Sequence, residues 1–139
     1  MTTLRKRQPV KRADLTNLIN RFGDLHSEVL ISSEAARFYC TTLREGRLVG
    51  CIKLQPVNWY QADLSHLVVH PEYRRQNIAR ILIAKACRRA RLADCRIVQS
   101  TIRHNNTAAS DLFCSSGFMP TVSFTGLSGQ TLAVWSLVL

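Results

Sequence analysis

The chain has 139 residues, of which 46% are hydrophobic, and it carries a net charge of +10. The length fits one domain spanning 1–139 whose core needs no disulfides, and the hydrophobic share excludes a disordered protein. The charge, with 15 arginines among 19 basic residues, indicates an anionic partner: nucleic acid, an acidic surface or a phosphorylated small molecule. A charge that serves only solubility is the alternative.

In the N-terminal half, hydrophobic spacing and turn residues predict four elements. They are a ragged strand at 2–11, a helix at 14–22, and strands at 35–43 and 47–55. Gly23 ends the helix, and Glu45 and Gly46 form the turn of a hairpin between the two later strands. Residues 24–34 are ambiguous and are compatible with a second short helix.

The C-terminal half alternates between strands and helices. Strands are predicted at 62–69, 95–102, 120–125 and 131–139, and helices at 77–92 and 107–116. The longer helix places Ile78, Leu82 and Ala86 on one apolar stripe. Its crossover makes the strands on either side of it parallel, so we expect an α/β fold with a mixed sheet.

Residues 64–79 run from an apolar strand, through a proline and two arginines, into the long helix. The first amides of a helix lack intrahelical acceptors, and the helix dipole favours negative charge there. This segment therefore predicts an anion site, which we interpret as holding the pyrophosphate of a coenzyme.

Cysteine and histidine spacing excludes several other classes of site. Five cysteines without a C-x-x-C pair predict buried thiols of a cytoplasmic protein, and the histidines lack metal-ligand spacing, so we expect no metal. The basic N-terminus has no apolar signal segment, and 132–139 is too short to span a bilayer. We therefore expect no membrane partner.

Two motifs together resemble the Gcn5-related N-acetyltransferase (GNAT) superfamily. They are V-x-P-x-Y-R-R-x-x-I-A at 69–79 and N-x-x-A-x-x-L-F-x-x-x-G-F at 106–118. The resemblance implies a mostly antiparallel sheet of six to seven strands flanked by helices. It also implies that strands 62–69 and 96–102 splay apart and hold acetyl-CoA between them.

The resemblance assigns coenzyme-binding residues to both motifs. Backbone groups of the splayed strand would bind the pantetheine and the acetyl carbonyl, as an added strand would, and the turn would hold the pyrophosphate. The implied residues are Leu67, Val68, Val69, Arg74, Arg75, Gln76, Asn77, Ile78, Ala79, Arg80, Asn106 and Phe113. Asn106 is also a natural helix N-cap, and this alternative is compatible with coenzyme contact.

The sequence departs from the family pattern at four positions. Asn77 and Arg75 stand where glycine is frequent, although asparagine tolerates positive φ better than most residues. Phe113 replaces a tyrosine that protonates the leaving thiolate in many members, and phenylalanine cannot donate a proton. Thr101 replaces a glutamate base of the relatives that acetylate protein N-termini.

Other residues are candidates for proton transfer. Asp63 and Ser65 are predicted on one face of their strand and His66 on the other. Asp63 is a candidate base through water, and His66 has the better intrinsic pKa, with a structural histidine as its alternative. Tyr73 is a weak candidate acid, as are Tyr60 and Cys114. His70 is predicted to be exposed and His104 to lie near the mouth of the cleft.

The sequence therefore predicts an acetyl-CoA-dependent N-acetyltransferase that moves an acetyl group directly to a primary amine of a small molecule, peptide or protein. The alternative is a catalytically weak CoA-binding protein that regulates a partner. A nucleic-acid partner is not expected, because the chain lacks aromatic stacking or DNA-binding motifs. The apolar segment 132–139 permits a homodimer.

Overall fold

The computed structural model describes residues 10–23 and 29–139. Within them, six strands form one sheet in the order β1-β2-β3-β4-β6-β5. The strands are β1 (Tyr39–Arg44), β2 (Arg47–Pro56), β3 (Gln61–Val69), β4 (Ile97–Arg103), β5 (Met119–Thr125) and β6 (Thr131–Val138). The helices are α1 (Arg12–Phe22), α2 (Ser33–Ala36), α3 (Ile78–Leu92) and α4 (Thr107–Ser115), with a 3₁₀ turn at Pro71–Tyr73.

The sheet is mixed, as the sequence predicts. β3 and β4 run parallel on either side of the α3 crossover, and every other neighbouring pair is antiparallel. Glu45 and Gly46 both have positive φ in the β1–β2 turn, which is the backbone that a two-residue hairpin with matched twist requires. The prediction of an α/β fold with a mostly antiparallel sheet flanked by helices is confirmed.

The prediction for the first strand of the hairpin is wrong at its start. Residues 35 and 36 belong to α2, because Ser32 caps this helix by accepting a hydrogen bond from the Ala35 amide at 3.1 Å. β1 therefore begins at Tyr39. The predicted strand at 2–11 falls largely outside the described residues, and Lys11 is the N-cap of α1.

Two hydrophobic clusters cover the two faces of the sheet. On one face, α3 and α4 pack on buried residues of β2, β3 and β4 such as Ile52, Leu64 and Val98. On the other face, α1 buries Leu15, Leu18 and Ile19 together with Tyr39 and Val68. β3 therefore contributes to both faces of the core, and its residues are available to a site that lies on either side.

The parallel pairing of β3 and β4 is short. It covers three positions, from Gln61 opposite Ile97 to Asp63 opposite Gln99. Beyond them β3 continues to Val69 and β4 to Arg103 without pairing with each other. At the point of divergence, Ser100 Oγ donates to the Leu64 carbonyl at 3.0 Å. The two strands thus open a wedge in the middle of the sheet.

Three further findings concern membrane spans, metal ligands and cysteines in the described part of the chain. No helix in it is long and apolar enough to cross a membrane. Residues 10–23 and 29–139 contain no group of histidine, cysteine and acidic side chains arranged for a metal ion. All five cysteines are free thiols, four of them buried and Cys114 exposed.

Candidate functional site

A cleft of about 600 Å³ occupies the wedge between β3 and β4. Because the strands have parted, the cleft reaches both faces of the sheet. Ile19 of α1 and Lys53 of β2 line it on one face, and Ala109 and Phe113 of α4 line it on the other. A ligand in this cleft can therefore be held by one face and approached by a second molecule from the opposite face.

Polar side chains collect on the α1 side of the cleft. Asp63, Ser65 and His66 of β3 line this region, together with Thr101 and Arg103 of β4. Ser65 lies opposite Lys53 in the β2–β3 register, and Asp63 lies opposite Gln55. Directly opposite residues of an antiparallel pair share a face, so Asp63 and Ser65 point to the same side as Lys53.

The prediction that His66 lies on the face opposite Asp63 and Ser65 is wrong. Between the pairs Lys53–Ser65 and Cys51–Val68, β3 has one more residue than β2, which is a β-bulge. His66 sits in this bulge with φ of 50°. The bulge rotates its side chain to Tyr39, which lies opposite Lys53 in the β1–β2 register and therefore on the α1 side.

The imidazole of His66 is held by Tyr39. The Tyr39 Oη atom lies 2.6 Å from His66 Nδ1, and the two rings stack with centroids 5.9 Å apart. The thiol of Cys51 donates a weak hydrogen bond to the His66 carbonyl at 3.5 Å. The bulge is thus fixed through both its backbone and its side chain.

Burial changes the ionisation of this group of residues. It lowers the pKa of His66, with a further lowering from the Lys53 ammonium. It raises the pKa of Tyr39 to about 12, assisted by Cys51, and it raises the pKa of the Cys51 thiol to about 12. Burial also raises the pKa of Asp63. His66 is therefore neutral at neutral pH, beside a neutral phenol and a neutral thiol.

This lowered pKa predicts a pH dependence of stability. Since the unfolded chain binds the His66 proton at a higher pH than the folded chain, the free energy of unfolding rises with pH up to about 6.5 and levels off above it. We expect His66→Asn to remove this rise of the unfolding free energy with pH. Asparagine is the replacement because it tolerates the positive φ of this position. Urea unfolding over a pH series measures the rise. His104→Asn, at an exposed position, is the control, and an unchanged slope in His66→Asn would contradict the prediction.

The opposite side of the cleft is apolar. The ring of Phe113 is 3% exposed and packs edge-to-face on Phe118, with centroids 5.0 Å apart. Asn106 is the N-cap of α4, and its Oδ1 accepts a hydrogen bond from the Ala109 amide at 3.1 Å. The helix-cap interpretation of Asn106 is therefore observed, and its side chain also borders the cleft.

The turn after β3 is anchored by His70. The prediction that His70 is exposed is wrong: it is 7% exposed, since its ring packs against Phe22 with centroids 4.6 Å apart. Its Nδ1 accepts a hydrogen bond from the Glu72 amide at 3.2 Å and so caps the 3₁₀ turn. The sequence pattern around a proline turn did not reveal this packing, because the contact comes from α1.

The turn then reaches α3 through two residues with left-handed backbone. Arg75 has φ of 67° and Asn77 has φ of 58°, and the side chains at 74–77 are exposed. These are the two positions where the family pattern has glycine. The long helix follows directly, with its first amides at the end of the turn.

Four candidates from the sequence are not among the residues that line the cleft: Tyr60, Tyr73, His104 and Cys114. Tyr73 packs against the His70 ring, with centroids 5.6 Å apart, and does not line the cleft. His104 is exposed and does not itself line the cleft, although Arg103 and Asn106 near it in sequence do. Conversely, Tyr39 and Lys53 were missed, because a tyrosine and a lysine in a hairpin carry no motif that points to a site.

Comparisons with known proteins agree with this geometry. The model of the acetyltransferase (GNAT) family matches residues 7–118. No curated protein matches the sequence significantly.

Solved structures with a similar fold are numerous. Ribosomal-protein-alanine N-acetyltransferase from Brucella melitensis is 20% identical, with a TM-score of 0.77 over 95% of this chain and 98% of that chain. Ard1 from Thermoplasma volcanium is 15% identical, with a TM-score of 0.82 over 95% of each chain. A GNAT family acetyltransferase from Elizabethkingia anophelis with acetyl-CoA bound is 12% identical, with a TM-score of 0.65 over 76% of this chain and 80% of that chain. At these identities the likeness establishes the fold.

Proposed function

The chain belongs to the GNAT acetyltransferase family, and we propose that it transfers an acetyl group from acetyl-CoA to a primary amine. The observation that carries this proposal is the wedge between β3 and β4. Its parted strand edges can hold an extended pantetheine as an added strand, while the opening to the α1 side admits an amine.

The residues of the cleft and turn fit such a co-substrate. Backbone groups of Leu67, Val68 and Val69 would orient the acetyl group and support the oxyanion that develops on its carbonyl oxygen. The turn and the start of α3, at Arg74, Arg75, Gln76, Asn77, Ile78, Ala79 and Arg80, would hold the pyrophosphate. The left-handed backbone at Arg75 and Asn77, with the exposed arginines and the helix N-terminus, supports this assignment.

Catalysis would rest mainly on proximity within a ternary complex. Asp63 and His66 both lie on the α1 side and remain candidate bases for the amine. Asn106 and Phe113 would border the coenzyme on the α4 side. Tyr73 is poorly placed as the acid, so we propose that the leaving thiolate, a fairly good leaving group, takes its proton from water.

The acceptor is proposed only as a class. Because one similar structure is a ribosomal-protein-alanine N-acetyltransferase, peptide and protein amines belong in the test beside small amines. We further propose a single domain over 1–139 and a cytoplasmic location, which the free thiols support. A homodimer through the C-terminal strands is compatible with the exposed Val138.

A thiol-release assay with acetyl-CoA and a panel of small amines and peptides tests the proposed activity. We expect release of free CoA that depends on the amine and yields the acetylated amine by mass spectrometry. A reaction without amine measures the background of thioester hydrolysis. Release that no amine accelerates, although acetyl-CoA binds tightly by calorimetry, would contradict the proposal.

That last outcome defines a second candidate function. Phe113 is 3% exposed and borders the cleft where many relatives have a tyrosine acid, which favours a protein that binds CoA and regulates a partner. Tight binding of CoA with hydrolysis only at the background rate would support this function. Amine-dependent turnover supports the transferase.

Asn77→Gly tests the turn. Glycine adopts positive φ without the steric cost that a side chain brings, so we expect the variant to bind acetyl-CoA as tightly as the wild type or up to a few times more tightly. Isothermal calorimetry measures the Kd. Asn77→Val is the opposite change, because a β-branched residue is strained at positive φ, and it should weaken binding. A large loss of affinity in Asn77→Gly would show that the side chain, not the backbone, holds the ligand.

A further inference from the structure

We infer that Tyr39 and His66 act as a pair, in which His66 is the base for the acceptor amine and Tyr39 is the residue that positions its ring. This inference rests on the proposed transferase activity and selects between its two candidate bases. Tyr39 belongs to neither motif and lies on β1, two strands away from the β3–β4 wedge.

The contact geometry supports a positioning role. The 2.6 Å separation of Tyr39 Oη and His66 Nδ1 is short for a hydrogen bond between two neutral groups, and the stacked rings are 27° apart. Tyr39 is 7% exposed and packs in the hydrophobic cluster between α1 and the sheet, so its phenol is held in place by core side chains. His66, in contrast, lines the cleft.

The hydrogen bond occupies Nδ1 and leaves Nε2 as the ring nitrogen that can meet the amine. A phenol can donate or accept, so His66 can carry its proton at Nδ1 and donate it to Tyr39 Oη. The lone pair is then on Nε2, which has no hydrogen-bond partner within residues 10–23 and 29–139. After Nε2 takes up a proton, Tyr39 Oη still accepts from Nδ1 and stabilises the imidazolium.

Charged and titratable groups from three strands surround this pair. Burial lowers the pKa of His66, and Lys53 of β2, whose Nζ lies 6.0 Å from the Tyr39 ring centroid, lowers it further. Cys51 of β2 contacts the His66 carbonyl. Asp63 of β3 and Arg103 of β4 line the same cleft. At neutral pH His66 is thus in the neutral form that a base requires.

Two protons leave the acceptor ammonium in each turnover. His66 Nε2 takes one proton from the acceptor ammonium, and the neutral amine attacks the acetyl carbon. The C–N bond forms, the C–S bond breaks, and the second nitrogen proton is lost through water to the CoA sulfur. His66 then returns its proton to solvent, so each turnover yields the acetylated amine, CoA thiol and one released proton.

The test compares His66→Asn, Tyr39→Phe, Asp63→Asn and Tyr73→Phe in the amine-dependent thiol-release assay. We expect His66→Asn to lower kcat/KM by roughly 10²-fold or more and to abolish the acidic limb of its pH profile. Tyr39→Phe should lower kcat/KM about tenfold, as expected for loss of a hydrogen bond. It should also shift the acidic limb of the profile along the pH axis. Asp63→Asn should keep the acidic limb of the pH profile. Tyr73→Phe removes a tyrosine hydroxyl outside the cleft and should also keep this limb. Calorimetric binding of CoA shows that each variant is folded.

Two readouts separate this inference from the proposed function. If the wild type acetylates amines but the limb disappears in Asp63→Asn and persists in His66→Asn, the pairing is overturned while the transferase stands. If no amine is acetylated, ¹⁵N chemical shifts of the His66 ring still test the pair. A His66 pKa that differs between the wild type and Tyr39→Phe supports the pair. An equal pKa in the two proteins overturns the pair.

Discussion

Replacing Phe118 with alanine is expected to lower the free energy of unfolding by about 3–5 kcal/mol. Phe118 is 2% exposed and follows the tight end of α4, where its amide donates to the Phe113 carbonyl at 3.0 Å. Its ring also supports Phe113 edge-to-face. The substitution therefore leaves a cavity in the larger core cluster and removes the packing that fixes one wall of the cleft.

Urea unfolding followed by circular dichroism measures this effect. Phe124→Ala is the matched control, since Phe124 lies on the edge strand β5 with 43% of its surface exposed and should lose less than about 1 kcal/mol. Equal losses in the two variants would contradict the assignment of Phe118 to the core. A loss of coenzyme binding beyond that expected from unfolding would show that Phe113 has moved.

Replacing Phe113 with tyrosine is expected to raise kcat for amine-dependent release of CoA by roughly tenfold to 10²-fold. Phe113 lines the apolar side of the cleft, where the departing thiolate of the proposed reaction would lie. The wild-type side chain supplies no proton there, whereas a positioned general acid contributes about 10²-fold or more. The size of the gain depends on how far thiolate departure limits the wild-type rate.

Steady-state kinetics with the best amine of the panel measures kcat and KM for this variant. Phe118→Tyr adds the same hydroxyl to the neighbouring ring, which is buried and does not line the cleft. That control should lose stability, because it buries a polar group, and should gain no rate. An unchanged or lower kcat in Phe113→Tyr with intact CoA binding would show that protonation of the thiolate does not limit turnover.

The structure explains how the chain accommodates three residues that depart from the family pattern: Arg75, Asn77 and Phe113. Arg75 and Asn77 adopt positive φ, so the turn keeps the backbone that glycine would give and carries side chains in addition. For Arg75 this conformation has a steric cost, which the charge it adds to the anion site can offset. Phe113 keeps the packing of an aromatic ring while it lacks the hydroxyl.

The sequence by itself determined the elements whose cause is local. Hydrophobic spacing predicted α3, and Gly117 with the Asn106 cap predicted the limits of α4 within a residue. The hairpin turn at Glu45 and Gly46 and the parallel crossover follow from turn residues and connection length. The two motifs were also sufficient to identify the family and to direct attention to the strand and turn before α3.

Only the tertiary structure decided what depends on distant segments. The face of His66 is set by a bulge against β2, since one extra residue reverses the alternation on which the sequence prediction relied. The burial of His70 comes from Phe22 on α1, and the hydrogen-bond partner of the His66 ring is Tyr39 on β1. Side chains that are 27 or more positions apart meet through sheet register and helix packing, which local periodicity does not encode.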